Sequence, residues 1–390
     1  MSNRPIAIIG GAIANKYLNG GAVWTRLNWA LGIRNLGFDT YFIEQIAPDD
    51  CRDKHGRVTE FTNSCQLDYF RQVLGDFGFS GKCALIYGNG PETFGLSQVE
   101  LRDLATAAAV MVNITGHLRQ PEFMASPACK IYVDLDPGFT QLWYERGLLD
   151  SSLTRHDHFF SVGEAIGSPG CRIPAGDIPW KPVRQPVVLD YWPVSAKGDP
   201  GRFTTIAAWR DDYGPVEFEG ETLGLKVHEF RKFMAFPERV EQSCEMALKI
   251  YPEDQADLER LQNHGWVIRD PVSLASGPSE FQDYVQNSGA EFSVAKGIYT
   301  HTRSAWFSDR TVRYLASGKP ALVQDTGFSD RYPVGDGLFA FRTMDEAVAG
   351  ARQIAGNYRQ HCRAARQIAE TYFDSKRVLG RVLEQSGVVV

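Results

Sequence analysis

Two hydrophobic patterns alternate along the chain. Short, almost continuous apolar runs over residues 5–10, 39–44, 82–87, 108–114, 130–134 and 158–162 have the length of strands. Between them, over 23–36, 63–77 and 97–105, apolar positions recur at helical spacing. A run such as Ala109-Val110-Met111-Val112 has no polar face, as expected of a parallel sheet covered on both sides, and the alternation with helices predicts right-handed βαβ units. The pattern restarts after residue 200, with strands over 203–209, 266–269, 291–295 and 321–324 and helices near 223–233 and 254–264. Helical pattern continues over 357–373 and 375–385, preceded by a helix whose start is marked by the capping-box sequence Thr343-Met344-Asp345-Glu346.

Seven of the 20 prolines lie between Pro169 and Pro200, where a regular helix or central strand is hard to sustain. That stretch divides the chain into two α/β/α, Rossmann-like domains, expected at 1–185 and 186–355. Residues 356–390 are expected to be helical. Ligands of paired α/β domains sit in the crevice between them, at the carboxyl ends of the strands.

Composition narrows the class. With 390 residues, 43% hydrophobic and 23% charged, the chain has material for two cores and lacks the bias of a disordered or fibrous protein. The formal charge of −6 argues against an extended phosphate-binding surface, so nucleic acid is not expected as a partner. The apolar stretch ending at Gly10-Gly11 is too short for a signal peptide or a membrane span, and a cytoplasmic location is expected. The seven cysteines are scattered without a C-x-x-C pair, which suits free thiols in a reducing compartment.

The stretch with most chemistry is Glu291 to Gly327, EFSVAKGIYTHTRSAWFSDRTVRYLASGKPALVQDTG. A strand leads through a loop carrying Lys296, His301 and Arg303 to Ser308-Asp309-Arg310-Thr311, where Ser308 is suited to cap a helix. Helix-start amides, the helix dipole and nearby cations together favour a phosphate or diphosphate. The next strand ends in Asp325-Thr326-Gly327, whose glycine permits close backbone approach. On the other side of the cleft, Ile131 to Gly138 brings Asp134 and Asp136 to a strand end. Asp136 is the leading candidate for a general base and His117 the second, while the same residues also suit a turn and a surface loop. His156-Asp157-His158 lacks a third ligand at a telling spacing, so no metal is expected. Trp24, Trp180, Trp192, Trp209 and Trp306 fall at predicted loops or element ends, where a flat face suits stacking on a base or sugar.

The run Ser308 to Gln324, SDRTVRYLASGKPALVQ, resembles the donor-site helix and following glycine, proline and strand of the GT-B nucleotide-sugar glycosyltransferases, and Asp325-Thr326-Gly327 resembles their next donor loop. Gly10-Gly11, Gly20-Gly21, the helix to Leu36 and Gly37-Phe38-Asp39-Thr40 are similar to the opening strand, glycine-rich acceptor loop and first helix, with Trp24 on the acceptor side. The resemblance implies a GT-B fold, with the two domains facing a central cleft and the helices of residues 356–390 crossing back toward the first, and sugar transfer from a nucleotide sugar to the hydroxyl of a small molecule or glycan. It implies no cofactor beyond that co-substrate. Lys296, Arg303, Ser308, Asp309, Arg310, Thr311, Asp325, Thr326 and Gly327 would surround the donor diphosphate. Many retaining members carry two glutamates separated by seven residues across this helix, and the matching places hold Ala305 and Arg313.

Other enzyme classes fit less well: the first turn, Gly10-Gly11-Ala12-Ile13-Ala14, does not supply G-x-G-x-x-G, and no G-x-x-x-x-G-K-[ST] occurs. A GT-B-like sugar-nucleotide epimerase and a catalytically silent sugar-nucleotide or glycan-binding protein remain as alternatives.

Overall fold

The computed structural model describes residues 4–149, 152–210 and 214–389. The first sheet contains β1 (Ile6–Gly10), β2 (Asp39–Ile46), β3 (Cys83–Tyr87), β4 (Thr93–Gly95), β5 (Ala108–Ile114), β6 (Lys130–Asp134), β7 (His158–Ser161) and β8 (Trp180–Pro182). Their order is β4-β3-β2-β1-β5-β6-β7-β8, and every pairing is parallel except β3 with β4. The order reverses between β1 and β5, which opens a crevice beyond their carboxyl ends.

The second sheet contains β9 (Arg202–Ala208), β12 (Ser243–Lys249), β13 (Trp266–Arg269), β14 (Ala290–Ser293), β15 (Ala321–Gln324) and β16 (Leu338–Phe341), all parallel in the order β13-β12-β9-β14-β15-β16. Its order reverses between β9 and β14. A separate antiparallel hairpin joins β10 (Val216–Phe218) to β11 (Glu221–Leu223).

Two features differ from the sequence pattern. The segment SCEMALK of β12 is rich in helix formers, yet it pairs with β9 and β13 and is buried from Cys244 to Leu248. Burial between two strands outweighs its weak local preference. The proline-rich stretch is also not all linker: Trp180–Pro182 forms the last strand of the first sheet, at an edge where a missing amide proton is tolerated.

Helix α1 (Gly20–Asn35) joins the two halves. A Cβ on Gly20 would lie 2.0 Å from Gly277 O, and one on Gly21 would meet the Phe281 ring at 2.8 Å. The glycines therefore let the helix start dock on the segment leading into the helix Pro278–Gln286 and on that helix itself. They do not line an acceptor loop, which corrects that expectation. Trp24 is 1% exposed and donates from Nε1 to Pro278 O, so its face is unavailable to an acceptor. Trp192 and Trp209 are likewise buried, because each ring removes more apolar area from water inside the core than at a cleft edge. At its other end α1 meets the C-terminal helix Ser375–Gln385, with Leu379 and Ser375 packed where Gly32 lacks a side chain. Among the described residues no helix is long and apolar enough to cross a membrane.

Candidate active site

The crevice of the first sheet is shaped by Glu44 at the end of β2. Its carboxylate accepts from the amides of Ile13, Ala14 and Asn15 at 2.7, 2.9 and 2.8 Å, and from Asn15 Nδ2. The loop amides that hold phosphate in dinucleotide-binding domains are thus occupied by a side chain of the protein. Gly10 and Gly11 lie beneath this loop, packed against Leu118 and against Phe42 and Arg26. Between the ends of β1, β2, β3 and β5 a cavity of about 440 Å³ opens, with Asn15, Gln45, Asn89, His117 and Arg119 on its walls.

His117 is half-buried. Burial and the charges of Arg26, Lys16 and Arg119 hold its pKa down at about 3, against the opposing effect of Asp136. The imidazole is neutral at physiological pH, able to share a hydrogen bond with a hydroxyl but a weak proton acceptor. The unfolded chain takes up a proton near pH 6.5 that the folded site refuses until about pH 3. Stability therefore falls as pH falls through that window. His117→Gln is expected to flatten this part of a plot of melting temperature against pH; an unchanged slope would place the imidazole in ordinary solvent.

Asp134 and Asp136, at the end of β6, have separate roles. Asp134 is fully buried and accepts from Ser161 Oγ at 2.6 Å, Thr140 Oγ1 at 2.7 Å, Gln141 Nε2 at 2.9 Å and Asp136 N at 3.0 Å. Burial pushes its pKa up, against these hydrogen bonds, and its place is structural: it fixes the turn that presents Asp136. Asp136 reaches across to the second sheet, accepting from Tyr299 Oη at 3.0 Å and meeting Lys296 Nζ at 3.4 Å. Burial raises its pKa, but Lys296 and the Tyr299 hydroxyl outweigh it, so the carboxyl stays below the usual carboxylate range.

Lys296 occupies the position just before the short helix Gly297–His301, beyond β14 and beside the reversal of the second sheet. Tyr299 stacks on Trp306 with ring centroids 4.4 Å apart, so one face of Trp306 is covered. Arg303 and Ala305 hold φ of 50° and 55°, left-handed values uncommon for residues with a Cβ. The strain is held by Ala305 N donating to Thr326 O at 2.9 Å and Thr326 Oγ1 to Trp306 O at 2.6 Å. The loop 302–306 and Asp325-Thr326-Gly327 are thus brought together. Across the cleft, Arg172 N donates to Thr302 O and Ala165 N to Ser304 O.

Ser308 caps the helix Asp309–Ala316, but the side chains at its start turn elsewhere than expected. Arg310 is directed into the sheet, with Nε 2.6 Å from Glu291, Nη1 2.6 Å from Ile206 O and Nη2 2.7 Å from Ser293 Oγ. Nε is committed to a carboxylate with no exposure to water, and Nη1 and Nη2 to a carbonyl and a hydroxyl, so the guanidinium is turned into the sheet rather than toward the place where a diphosphate was expected. Asp309 accepts from Thr25 Oγ1 of α1 and pairs with Arg313, placing a negative charge in the first turn where an anion was expected. Thr311 is fully buried, and Asp325 is held by Arg342, Ser329 and the amide of Gly327. Arg303, exposed and paired with Asp330, and Lys296 remain at the cleft. Sequence reasoning missed Lys16, Arg26, Arg119 and Tyr299. The first three were legible only as cations flanking Gly10-Gly11 and His117, and Tyr299 meets Asp136 across 163 positions of sequence.

No family model and no curated protein matches the sequence. The fold is that of GT-B glycosyltransferases. An alpha-glucosyltransferase solved with UDP and a 13-mer DNA containing an HMU base is 11% identical and has a TM-score of 0.61, covering 99% of this chain and all of that one. Sucrose-phosphate synthase from Thermosynechococcus elongatus is 11% identical with a TM-score of 0.54, over 98% of this chain and 99% of that one. Anabaena HepE, solved with UDP and glucose, is 10% identical with a TM-score of 0.55, over 99% of this chain and all of that one. The first of these overturns the exclusion of nucleic acid: a protein of this architecture is solved with DNA. Net charge was the wrong quantity to argue from, because the field at the cleft and not the total decides what binds there.

Proposed function

We propose that the chain is a glycosyltransferase that moves a sugar from a nucleotide sugar on the second sheet to an acceptor hydroxyl on the first. The observation that carries this is the meeting of two sheet-reversal crevices, where Asp136 of one touches Lys296 and Tyr299 of the other. Likeness over nearly the whole chain to proteins solved with UDP supports it.

The leaving nucleoside diphosphate gathers negative charge on its β-phosphate, and cations fixed at that place stabilise it. Lys296 and Arg303 are assigned that role. Asp136, ionised and beside the acceptor crevice, receives the hydroxyl proton as the new bond forms, and neutral His117 orients that hydroxyl. Since side-chain cations supply the charge, turnover is expected to persist in a chelator, with the nucleotide sugar as the sole co-substrate.

The test is a screen of nucleotide sugars for thermal stabilisation, followed by turnover with hydroxylic small molecules, glycans and hydroxymethylated DNA as acceptors. A ligand at about 100 times its Kd stabilises the folded state by about 2.7 kcal/mol. The expected result is stabilisation by one donor and acceptor-dependent release of its nucleoside diphosphate, lost in Lys296→Ala. Isomerised donor without transfer would identify an epimerase instead, and binding without release a silent sugar-nucleotide protein.

A further inference from the structure

The charge of the chain is unevenly spread. Residues 351–390 carry seven lysines and arginines against three acids, while the rest of the chain carries 34 against 44. Two of the three acids are committed within the fold: Glu370 pairs with Arg366 at 2.7 Å, and Asp374 caps the helix Ser375–Gln385 by accepting from Lys376 N at 3.0 Å. Asp336, beside the helix Tyr358–Ile368, is held by Gln360 and His361. Of the seven cations only Arg366 is used internally, donating to Trp192 O and Ala316 O as well as to Glu370. Arg352, Arg359, Arg363, Lys376, Arg377 and Arg381 are exposed, and their side chains make no ion pair or hydrogen bond among the described residues.

Helical spacing turns these cations outward. His361, Ala365 and Ile368 are buried, while Arg359 and Arg363 stand one turn apart on the opposite side. In the next helix Val378, Leu379, Val382 and Leu383 are buried and Arg377 and Arg381 stand one turn apart outside, with Glu384 the one acid on that strip. The first helix lies at the amino ends of second-sheet strands: the Ala365 backbone packs where Gly337, just before β16, lacks a side chain, and Tyr358 Oη donates to Gly289 O, just before β14, at 2.8 Å. The second reaches the amino end of β6 in the first sheet, where Cys129 Sγ meets Ser386 O at 3.8 Å. The two basic strips therefore lie on the face opposite the cleft, one on each domain.

We propose that this face binds the phosphate backbone of a nucleic acid duplex, without reading its sequence. A duplex carries one charge per about 1.7 Å of its axis, so separate cations along two helices each meet a phosphate and release a counterion. Five of the six free cations are arginines, whose planar forks match phosphate oxygens where a lysine gives only a point charge. A membrane surface fits less well, because an interfacial helix buries an apolar face in the lipid, and no large hydrophobic side chain is exposed from residue 335 to residue 388. The surface is separate from the cleft and does not depend on the transferase reading.

The full-length protein is titrated into a fluorescent DNA duplex of about 20 base pairs, and anisotropy is read between about 50 and 200 mM salt. Contact with about four phosphates should weaken binding by about 100-fold over that range, equally for duplexes of unrelated sequence. Arg359→Gln with Arg363→Gln, or Arg377→Gln with Arg381→Gln, should each lower the slope of log affinity against log salt by about two, and all four together should abolish binding. The corresponding fourfold lysine variant should keep most of the slope, because it keeps the charge. Melting temperatures should stay at the wild-type value throughout, since these side chains have no partners to lose. Absence of binding at about 50 mM salt overturns the proposal, as does a slope that survives in the fourfold glutamine variant. Displacement of the duplex by saturating UDP would place it in the cleft and overturns it too. Vesicles of phosphatidylserine and phosphatidylcholine that bind through these arginines when the duplex does not would assign the face to a membrane, and polyglutamate bound as tightly as the duplex would assign it to an acidic polypeptide; either result overturns the nucleic acid assignment.

Discussion

Replacing Asp136 with asparagine is expected to lower turnover by about 10²–10³-fold while changing UDP affinity by less than about threefold. The substitution keeps the shape of the side chain and its capacity to accept from Tyr299, so the contact between the two sheets persists. What it removes is the negative charge, and with it the group that receives the hydroxyl proton and the counter-charge of Lys296. A pH profile gives a second readout. Because the Asp136 pKa is held below the ordinary 3.8, the carboxylate is present at all higher pH, and the acid limb of the wild-type rate should lie below that value. The asparagine variant should lack this limb. Turnover within about threefold of wild type would reduce Asp136 to a latch between the two halves.

The second large effect concerns stability. Arg310→Ala is expected to lower the free energy of unfolding by about 3–5 kcal/mol, because it leaves Glu291 charged, buried and unpaired. Glu291 Oε2 already lacks a partner among the described residues, so no other cation takes over. Urea denaturation measures the loss. The double variant Glu291→Leu with Arg310→Met should regain most of it, since a well-packed apolar pair of similar volume replaces a buried ion pair at little or no cost. UDP affinity of the folded protein should stay close to wild type. An arginine that binds diphosphate would give the opposite result, a large loss of affinity with little change in stability.

These two residues show how far the pattern of the chain could be read. The position of Asp136 at the cleft was legible because a strand end followed by Asp-Pro-Gly places a carboxylate at the rim of a crevice in any α/β sheet. Arg310 was misassigned because its position at a helix start is the same for a ligand-binding and a buried side chain. The difference lies in Glu291, nineteen positions earlier, whose carboxylate needs a counter-charge once β14 is covered. Asp309 and Arg313 were similarly ambiguous. Arg313 occupies a place where the resemblance to GT-B enzymes would put a glutamate, and only its packing at 1% exposure, beside Asp309 and with Nη2 donating to Thr25 Oγ1, shows that here the helix faces α1.

Local preference and the periodicity of apolar residues determined most of the elements, β12 and β8 excepted, since burying strands on both faces and helices on one leaves a direct imprint on sequence. They also determined the two-sheet architecture and the location of chemistry at the carboxyl ends of strands. Tertiary structure alone decided which polar groups face the cleft and which pair with one another. That choice depends on contacts such as Asp136 with Tyr299, or Thr25 with Asp309 across 284 positions, which no local pattern encodes. The physical reason is that a buried charge must find a partner wherever the fold brings one. The same arginine, capped helix or glycine pair therefore serves a ligand or the core according to what lies opposite it.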